Sequence, residues 1–485
     1  GSGHTPQKSA SFENGRVMEH VTLSQLLSAT DGRAVDFDDT SAGFNSIALD
    51  SRNVRLGDLF WAVQGEQHDG HAFVAAAFDN GAAAAVVRND YENELRVPVV
   101  TVPDTLIALW DFAKSYREAR EALIVGVTGS FGKTTTRSLI HSMLETQFAG
   151  MQSPRNFNNH FGVPLSLLEI QDDDEFAVLE FGASDVGEIR QLAELAEPEI
   201  GIITGIGPAH LCGFGSEQRI LSAKSELLES LPSNGLAILA GDDQRLCQLA
   251  EQIDCRTILV GEGSQNDIRA TRVNVGRNRL SFQVDSDQFE LQVTGRHYLT
   301  AALCAVAVGR EVGIDSKQIA NGLASFTTPP GRCQLQSIGP WTVIDDTYNS
   351  NPASMQAALE VLRDWQTAGR KLLVVGDMLE LGERSAAFHR QLGADAATAG
   401  IDCLLAHGQQ AEQVIWGAAE EGMNKYRMAE CEDFDAMLAV LNCWLEPGDV
   451  ILVKGSRGMQ MERVIERLQQ RVAWKTDSPP LRAVA

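Results

Sequence analysis

Leu123-Ile124-Val125-Gly126-Val127-Thr128-Gly129-Ser130-Phe131-Gly132-Lys133-Thr134-Thr135 is the stretch on which the reading of this chain turns. Five apolar or glycine residues lead into a glycine-bearing turn. A Lys-Thr pair follows, and then Arg137-Ser138-Leu139-Ile140-His141-Ser142-Met143-Leu144 continues with helical spacing. Strand, turn and helix in that order make a phosphate cradle. Backbone N–H groups and the helix N-terminus face the phosphates, Lys133 supplies a point charge, and a threonine hydroxyl can reach Mg²⁺. The full phosphate-loop pattern wants glycine five residues ahead of Gly132, where this chain has Val127. The motif is therefore a shorter variant, T-G-x-x-G-K-T-T, spanning Thr128 to Thr135. A tight turn with a solvated lysine is the bland alternative, and the placement between a β-type run and a helix favours a nucleoside triphosphate.

Working outward, 485 residues are too many for one core, and the length suggests about three domains. A formal charge of −25 argues against nucleic acid or an anionic membrane as partner. It also gives weight to any local cluster of cations. The eight cysteines are scattered without a C-x-x-C pair and read as reduced thiols of a cytoplasmic protein. No apolar stretch of about 18 residues offers a membrane span. Residues 1–17 read as an expression-vector remnant, and 478–485 as a frayed tail.

The fold class expected is α/β with three domains. Over 18–103, short apolar runs alternate with polar turns, as in a small α/β domain. Over 104–327, strands such as Leu123–Val127, Phe176–Glu180, Ile200–Thr204 and Ala237–Ala240 alternate with helices, which argues for a mostly parallel sheet carrying the phosphate loop. Residues 268–293 read as an antiparallel flap. Thr327-Thr328-Pro329-Pro330-Gly331-Arg332 reads as a hinge. Beyond it, 328–477 read as a Rossmann-like domain without its own G-x-G-x-x-G. Within it, helices are expected over Ser354–Ala368, near Cys431–Trp444 and over Met459–Arg471.

Candidate chemistry gathers at strand ends, where α/β sheets bind ligands. Glu180 closes Phe176–Glu180 and is either a Mg²⁺ ligand or a solvated strand-end carboxylate. His210 follows the next strand and reads equally as ligand or structural loop residue. Lys224 lies among Glu217, Glu226 and Glu229 and reads locally as a surface lysine with helical partners. Arg332 after the hinge can meet a phosphate or stand solvated. Asp345-Asp346-Thr347-Tyr348-Asn349-Ser350-Asn351-Pro352 is either a binding turn or an Asx turn. Asn158 and Asn159 can belong to a plain loop or to an amide wall for a polar substrate.

Together these segments resemble the Mur ligases of bacterial peptidoglycan synthesis, over nearly the whole chain from about Met18. Asp50-Ser51-Arg52, Gly57-Asp58-Leu59-Phe60 and Asp69-Gly70-His71-Ala72-Phe73 are similar to the family's UDP-substrate domain. Thr128–Thr135, Asn158-Asn159, Glu180, His210 and Ala223-Lys224-Ser225-Glu226 are similar to its ATPase domain. Gly331-Arg332, Asp345–Pro352, Gly376-Asp377-Met378-Leu379-Glu380-Leu381-Gly382 and Val453-Lys454-Gly455-Ser456-Arg457-Gly458 are similar to its amino-acid-binding domain. The Gly376–Gly382 run and the Asp345–Pro352 turn point to members that add D-alanyl-D-alanine to UDP-N-acetylmuramoyl-tripeptide. The D-N-P-R motif of the diaminopimelate-adding members is not found.

The resemblance implies a set of roles. ATP is held by Thr128–Thr135, Tyr298, Arg332 and Asp346. Two Mg²⁺ ions are held by Thr134, Glu180, His210 and a carbamylated Lys224. The substrates are met by Ser51, Arg52, Asp69, His71, Asn158, Asn159, Asn349 and Asn351. Lys133, Lys224, His210 and Glu180 are the catalytic set of a monomeric, ADP-forming ligase that works through an acyl phosphate. The family's H-N-x-x-N near adenine is here His297-Tyr298-Leu299-Thr300-Ala301, leaving Tyr298 to stack. Cys212 stands where an acidic residue is common. A folylpolyglutamate-type or another Mur-type amino-acid ligase is the alternative, and the first shares the ATPase chemistry but lacks a leading UDP-substrate domain. A GTPase would need N-K-x-D, whereas the chain offers Asn424-Lys425-Tyr426-Arg427.

Overall fold

The computed structural model describes residues 17–39, 41–65 and 68–477. The terminal segments read above as remnant and frayed tail lie outside them, apart from Val17. The chain forms two compact units, one of Gly1–Val125, Phe148–Phe181 and Gln191–Pro198, the other of Gly126–Gln147, Gly182–Arg190 and Glu199–Ala485.

In the first unit a five-stranded sheet runs in the order Arg33–Val35, Val99–Val102, Ala84–Arg88, Leu59–Trp61, Ile47–Ala48. Only the Arg33–Val35 edge is antiparallel. Leu59–Trp61 and Ala84–Val87 are wholly buried. This is why they read as unbroken apolar runs rather than as alternation. Phe60, Ala62, Val74, Ala77 and Ala85 fill one core cluster. Trp61 stacks on Phe112 of helix Thr105–Glu118, with ring centroids 5.9 Å apart. Its indole N–H donates to the Thr105 carbonyl at 2.7 Å. The unit also contains Phe176–Glu180 running parallel to Gly150–Gln152.

Strand Leu123–Thr128 begins in the first unit and ends in the second. In the second unit the order is Asp287–Leu291, Arg279–Val284, Ile268–Gly276, Arg256–Gly261, Leu236–Ala240, Ile200–Ile203 and then the end of Leu123–Thr128. Ile200–Ile203, Leu236–Ala240 and Arg256–Gly261 are parallel. Ile268–Gly276, Arg279–Val284 and Asp287–Leu291 pair antiparallel in turn, as the alternating pattern of 268–293 implies. A further six-stranded sheet runs Gln334–Ile338, Trp341–Asp346, Val450–Lys454, Lys371–Gly376, Cys403–His407, Met428–Cys431. All its pairs are parallel except the Gln334–Ile338 edge. The Rossmann-like reading of this region holds.

Several boundaries differ from the sequence reading. The helix expected from Ser354 begins at Pro352 and ends at Asp364. Asn351 caps it, accepting from the Ser354 N–H, while the Ser354 hydroxyl closes a capping box and proline takes the first turn. Cys431 ends a strand, Met428–Cys431, and the helix read as starting there begins at Phe434 behind the Asp433 cap. Met459 belongs to a short 3₁₀ turn, and Gln460 at φ 51° interrupts the chain before the last helix starts at Glu462. Strand Gln334–Ile338 and helix Ala411–Glu420 were not read at all. Among the described residues no helix is long and apolar enough to cross a membrane.

Candidate active site

The phosphate loop is shaped by close backbone approach. Gly129 has φ 149°, and a Cβ there would lie 2.1 Å from Thr204 Oγ1. Gly132 adopts φ 77° just before helix Lys133–Leu144. A side chain is excluded at the first position and disfavoured at the second, which is how the sequence dictates the turn. The loop is tied to the next strand's end: Ser130 N–H donates to the Gly205 carbonyl at 2.9 Å, and Gly207 N–H donates to Ser130 Oγ at 3.1 Å. Lys133 Nζ lies 2.9 Å from the Gly129 carbonyl, folded over its own loop. A helix start with a lysine beside it suits a phosphate chain.

Arg332 completes this cradle from the far side of the hinge. Its Nη2 donates to Thr134 Oγ1 at 3.1 Å, and its guanidinium lies 4.1 Å from the centre of the Tyr348 ring. Among the described residues its Nε has no hydrogen-bond partner. A buried donor beside a phosphate loop suits an anion. Asn351 Nδ2 also donates to the Ser130 carbonyl, at 3.1 Å.

His210 sits in the left-handed region at φ 52°, ahead of the short helix Leu211–Phe214. Its Nδ1 meets the Glu380 carboxylate. Burial lowers its pKa first, the positive charges of Lys133 and Lys224 act in the same direction, and Glu380 opposes them. That coupling places Lys133, His210 and Lys224 in one electrostatic neighbourhood. Lys224 is 3 % exposed, on helix Glu217–Glu229, with Nζ 5.5 Å from the centre of the Phe214 ring. The local reading of a surface lysine is therefore corrected: it lies on the inward face of its helix.

Family models match three stretches of the chain: the Mur ligase middle domain over 127–309, the Mur ligase glutamate ligase domain over 331–457 and the Mur ligase family catalytic domain over 44–117. A curated relative from Bacillus subtilis, UDP-N-acetylmuramoyl-tripeptide–D-alanyl-D-alanine ligase, is 35 % identical over 87 % of this chain and 93 % of its own. The chain belongs to the Mur ligase family. The Escherichia coli enzyme of the same name is 34 % identical over 93 % of this chain and 99 % of its own. Among solved structures, MurF from Acinetobacter baumannii superposes with a TM-score of 0.85 at 30 % identity, covering 93 % of this chain and 99 % of that one. MurF from Thermotoga maritima, solved in complex with ADP, gives 0.78 at 29 % identity over 89 % and 98 %. The α/β, three-domain class expected from the sequence is the class of these structures.

Within this Mur ligase the remaining candidates fall into two groups. In the first unit, Glu180 is 3 % exposed at its strand end, and its Oε1 accepts from Asn158 Nδ2 at 2.8 Å. Its N–H donates to Ser153 Oγ at 3.1 Å. It is a buried, oriented carboxylate and not a solvated one. Asn159 instead accepts from the Phe161 and Gly162 N–H groups, at 3.2 and 2.9 Å, and shapes the turn. His71 has both ring nitrogens engaged, Nδ1 with Asp69 Oδ1 at 2.6 Å and Nε2 with the Arg88 N–H at 2.9 Å. Asp69 and His71 thus brace their loop against Arg88. Ser51 is buried, and its carbonyl accepts from Asn80 Nδ2 at 2.9 Å. Arg52 projects outward, paired with Asp50 at 2.7 Å.

In the second unit, Asp346 is buried. Its Oδ2 pairs with Lys454 Nζ at 2.6 Å, and its Oδ1 accepts from the Cys333 N–H at 3.1 Å. Lys454 is 2 % exposed and also donates to the Asn349 carbonyl at 3.0 Å. Tyr298 gives no open face for adenine stacking: it is 1 % exposed, with its hydroxyl donating to the Arg332 carbonyl at 2.5 Å. His297 and Phe326 flank the ring. Its role here is to brace the backbone of Arg332, and the stacking expectation is corrected accordingly.

Sequence reasoning assigned no chemistry to Lys454 or Glu380. For Lys454 a signal existed: a lysine closing the apolar strand Val450–Lys454 must find a partner once both sheet faces are covered. Its cross-strand register partner is Asp346. Among the described residues no three His, Cys, Asp or Glu side chains form a ready-made metal cluster. Mg²⁺ does not require one, since it keeps waters and takes one or two carboxylates plus substrate phosphates.

Proposed function

We propose that this Mur ligase joins D-alanyl-D-alanine to UDP-N-acetylmuramoyl-tripeptide at the expense of ATP, in bacterial cell-wall precursor synthesis. The structural observation that carries the reading is Arg332, whose buried Nε has no partner among the described residues, held against Thr134 of the phosphate loop. The relatives' printed names supply the substrates.

A carboxylate is a poor electrophile, so activation comes first. A tripeptide carboxylate oxygen attacks the γ-phosphorus of ATP, releasing ADP and forming an acyl phosphate. The amine of D-alanyl-D-alanine then displaces phosphate through a tetrahedral intermediate and loses a proton. Phosphoryl transfer asks the protein mainly for positioning and charge neutralisation. Lys133, the loop N–H groups of 129–133 and Arg332 hold the phosphates. Thr134, His210 and a carbamylated Lys224 would hold Mg²⁺ in the second unit, and Glu180 would do so in the first. The metal would supply positive charge against the repulsion between two anions that must meet. Asp346, set by Lys454, faces the ribose hydroxyls. Asn158 orients Glu180, and Asn349 and Asn351 line the incoming dipeptide.

The division 18–103, 104–327 and 328–477 separates UDP-substrate, ATP and dipeptide functions. We place the protein in the cytoplasm as a monomer. The reading is tested by following phosphate release with each substrate omitted in turn, and with lysine- and diaminopimelate-containing tripeptides. Release should require ATP, tripeptide and D-alanyl-D-alanine together. Equal release without the dipeptide would refute the ligase assignment.

A further inference from the structure

We infer that Glu380 is a positioning residue that fixes the tautomer and orientation of His210, and that it does so from the opposite side of the hinge. The inference rests on the proposed role of His210 as a ligand to Mg²⁺.

The grip is double. The Glu380 carboxylate meets His210 Nδ1, while the Glu380 carbonyl accepts from the Cys212 N–H at 3.1 Å. Side chain and main chain of one residue therefore hold both ends of the same turn. An ionised carboxylate only accepts, so Nδ1 carries the proton and Nε2 presents its lone pair. A histidine ligand to a metal is typically set in this manner by a carboxylate on its other nitrogen.

Both partners hold uncommon backbone conformations, φ 52° at His210 and φ 64° at Glu380. Non-glycine residues persist there where the surroundings over-determine them. The surroundings of Glu380 do so. Met378 N–H donates to His389 Nε2 at 2.9 Å, and Leu379 N–H donates to Ser456 Oγ at 2.9 Å. Asp377 accepts from the Gln409 and Gln410 N–H groups at 2.7 and 3.1 Å, and its carbonyl accepts from the Ser456 N–H at 3.1 Å. The Asp377–Glu380 turn is thus a rigid arm that ends on His210. Because the arm follows Pro329-Pro330 and His210 precedes it, His210 is oriented only while the two sides of the hinge are together.

The test compares Glu380→Gln, Glu380→Gly and His210→Ala in the full chain. Glycine adopts φ 64° without strain, so Glu380→Gly removes the carboxylate while easing the backbone. Two readouts are used. One is ¹⁵N NMR of the histidine rings in the free protein. The other is Mn²⁺ affinity by electron paramagnetic resonance, with a non-hydrolysable ATP analogue and tripeptide present. In wild type His210 should show a protonated Nδ1. Both Glu380 variants should lose that single-tautomer signature and bind Mn²⁺ about 10–100-fold more weakly, with nucleotide affinity retained. Unchanged tautomer and Mn²⁺ affinity in both Glu380 variants, with His210→Ala impaired, would overturn the inference and leave the proposed function standing. Unimpaired Mn²⁺ binding by His210→Ala would overturn the metal role of His210 and this inference with it.

Discussion

Lys133 carries the most specific residue-level expectation. Lys133→Ala should lose on the order of 10²–10³-fold or more in ligation rate, by analogy with the loss of other preorganised donors. Steady-state kinetics with ATP and both substrates check it, and near-full activity would remove the phosphate assignment. Lys224→Ala should abolish most activity and regain part of it when a short carboxylic acid stands in for the carbamate. Absence of rescue, with an unmodified lysine in the intact-mass spectrum of wild type, would exclude carbamylation. The buried histidine His389 gives a pH prediction. Its Nε2 accepts from Met378 and its Nδ1 donates to the Ser385 carbonyl at 2.7 Å, so the fold requires the neutral ring. Burial lowers its pKa. The unfolded chain therefore takes up a proton below about pH 6.5 while the folded chain resists it, and stability falls as pH falls through that range. Thermal midpoints at pH 7.5 and 5.5 should drop less for His389→Gln than for wild type.

At the scale of elements, caps and strand ends hold the site residues in place. Asn351→Ala removes an N-cap and the amide contact to Ser130, and should cost about 1 kcal/mol in denaturant unfolding. Lys454→Met leaves the Asp346 carboxylate buried without its ion-pair partner, which should cost about 3–5 kcal/mol. The double change Lys454→Met with Asp346→Asn should recover part of that loss. Legibility in the sequence follows the same physics. Leu123–Thr128, Phe176–Glu180 and the helix after Lys133 were readable because uninterrupted apolar runs and glycine punctuation act locally. Strand Gln334–Ile338 was not, since at a sheet edge its polar residues alternate without an apolar run. The burial of Tyr298 and Lys224 was not legible from local spacing, because helical spacing does not say which face a single polar residue occupies. Tyr298 meets the backbone of Arg332 and Lys224 the ring of Phe214, contacts made outside their own helices.

For the whole molecule, a chain of formal charge −25 sets Lys133 and Arg332 at one loop. Their combined field matters more there than at a basic surface, since the rest of the protein repels anions. The region from Arg332 onward contributes Arg332, Asn351 and Glu380 to partners around Ser130, Thr134 and His210. The central claim is that this pocket brings the tripeptide's carboxylate oxygen to the γ-phosphorus of ATP. The most direct measurement uses tripeptide labelled with ¹⁸O in its terminal carboxylate and follows the label after ligation to D-alanyl-D-alanine. One ¹⁸O should appear in the released inorganic phosphate. Ligated product accompanied by unlabelled phosphate would contradict the account.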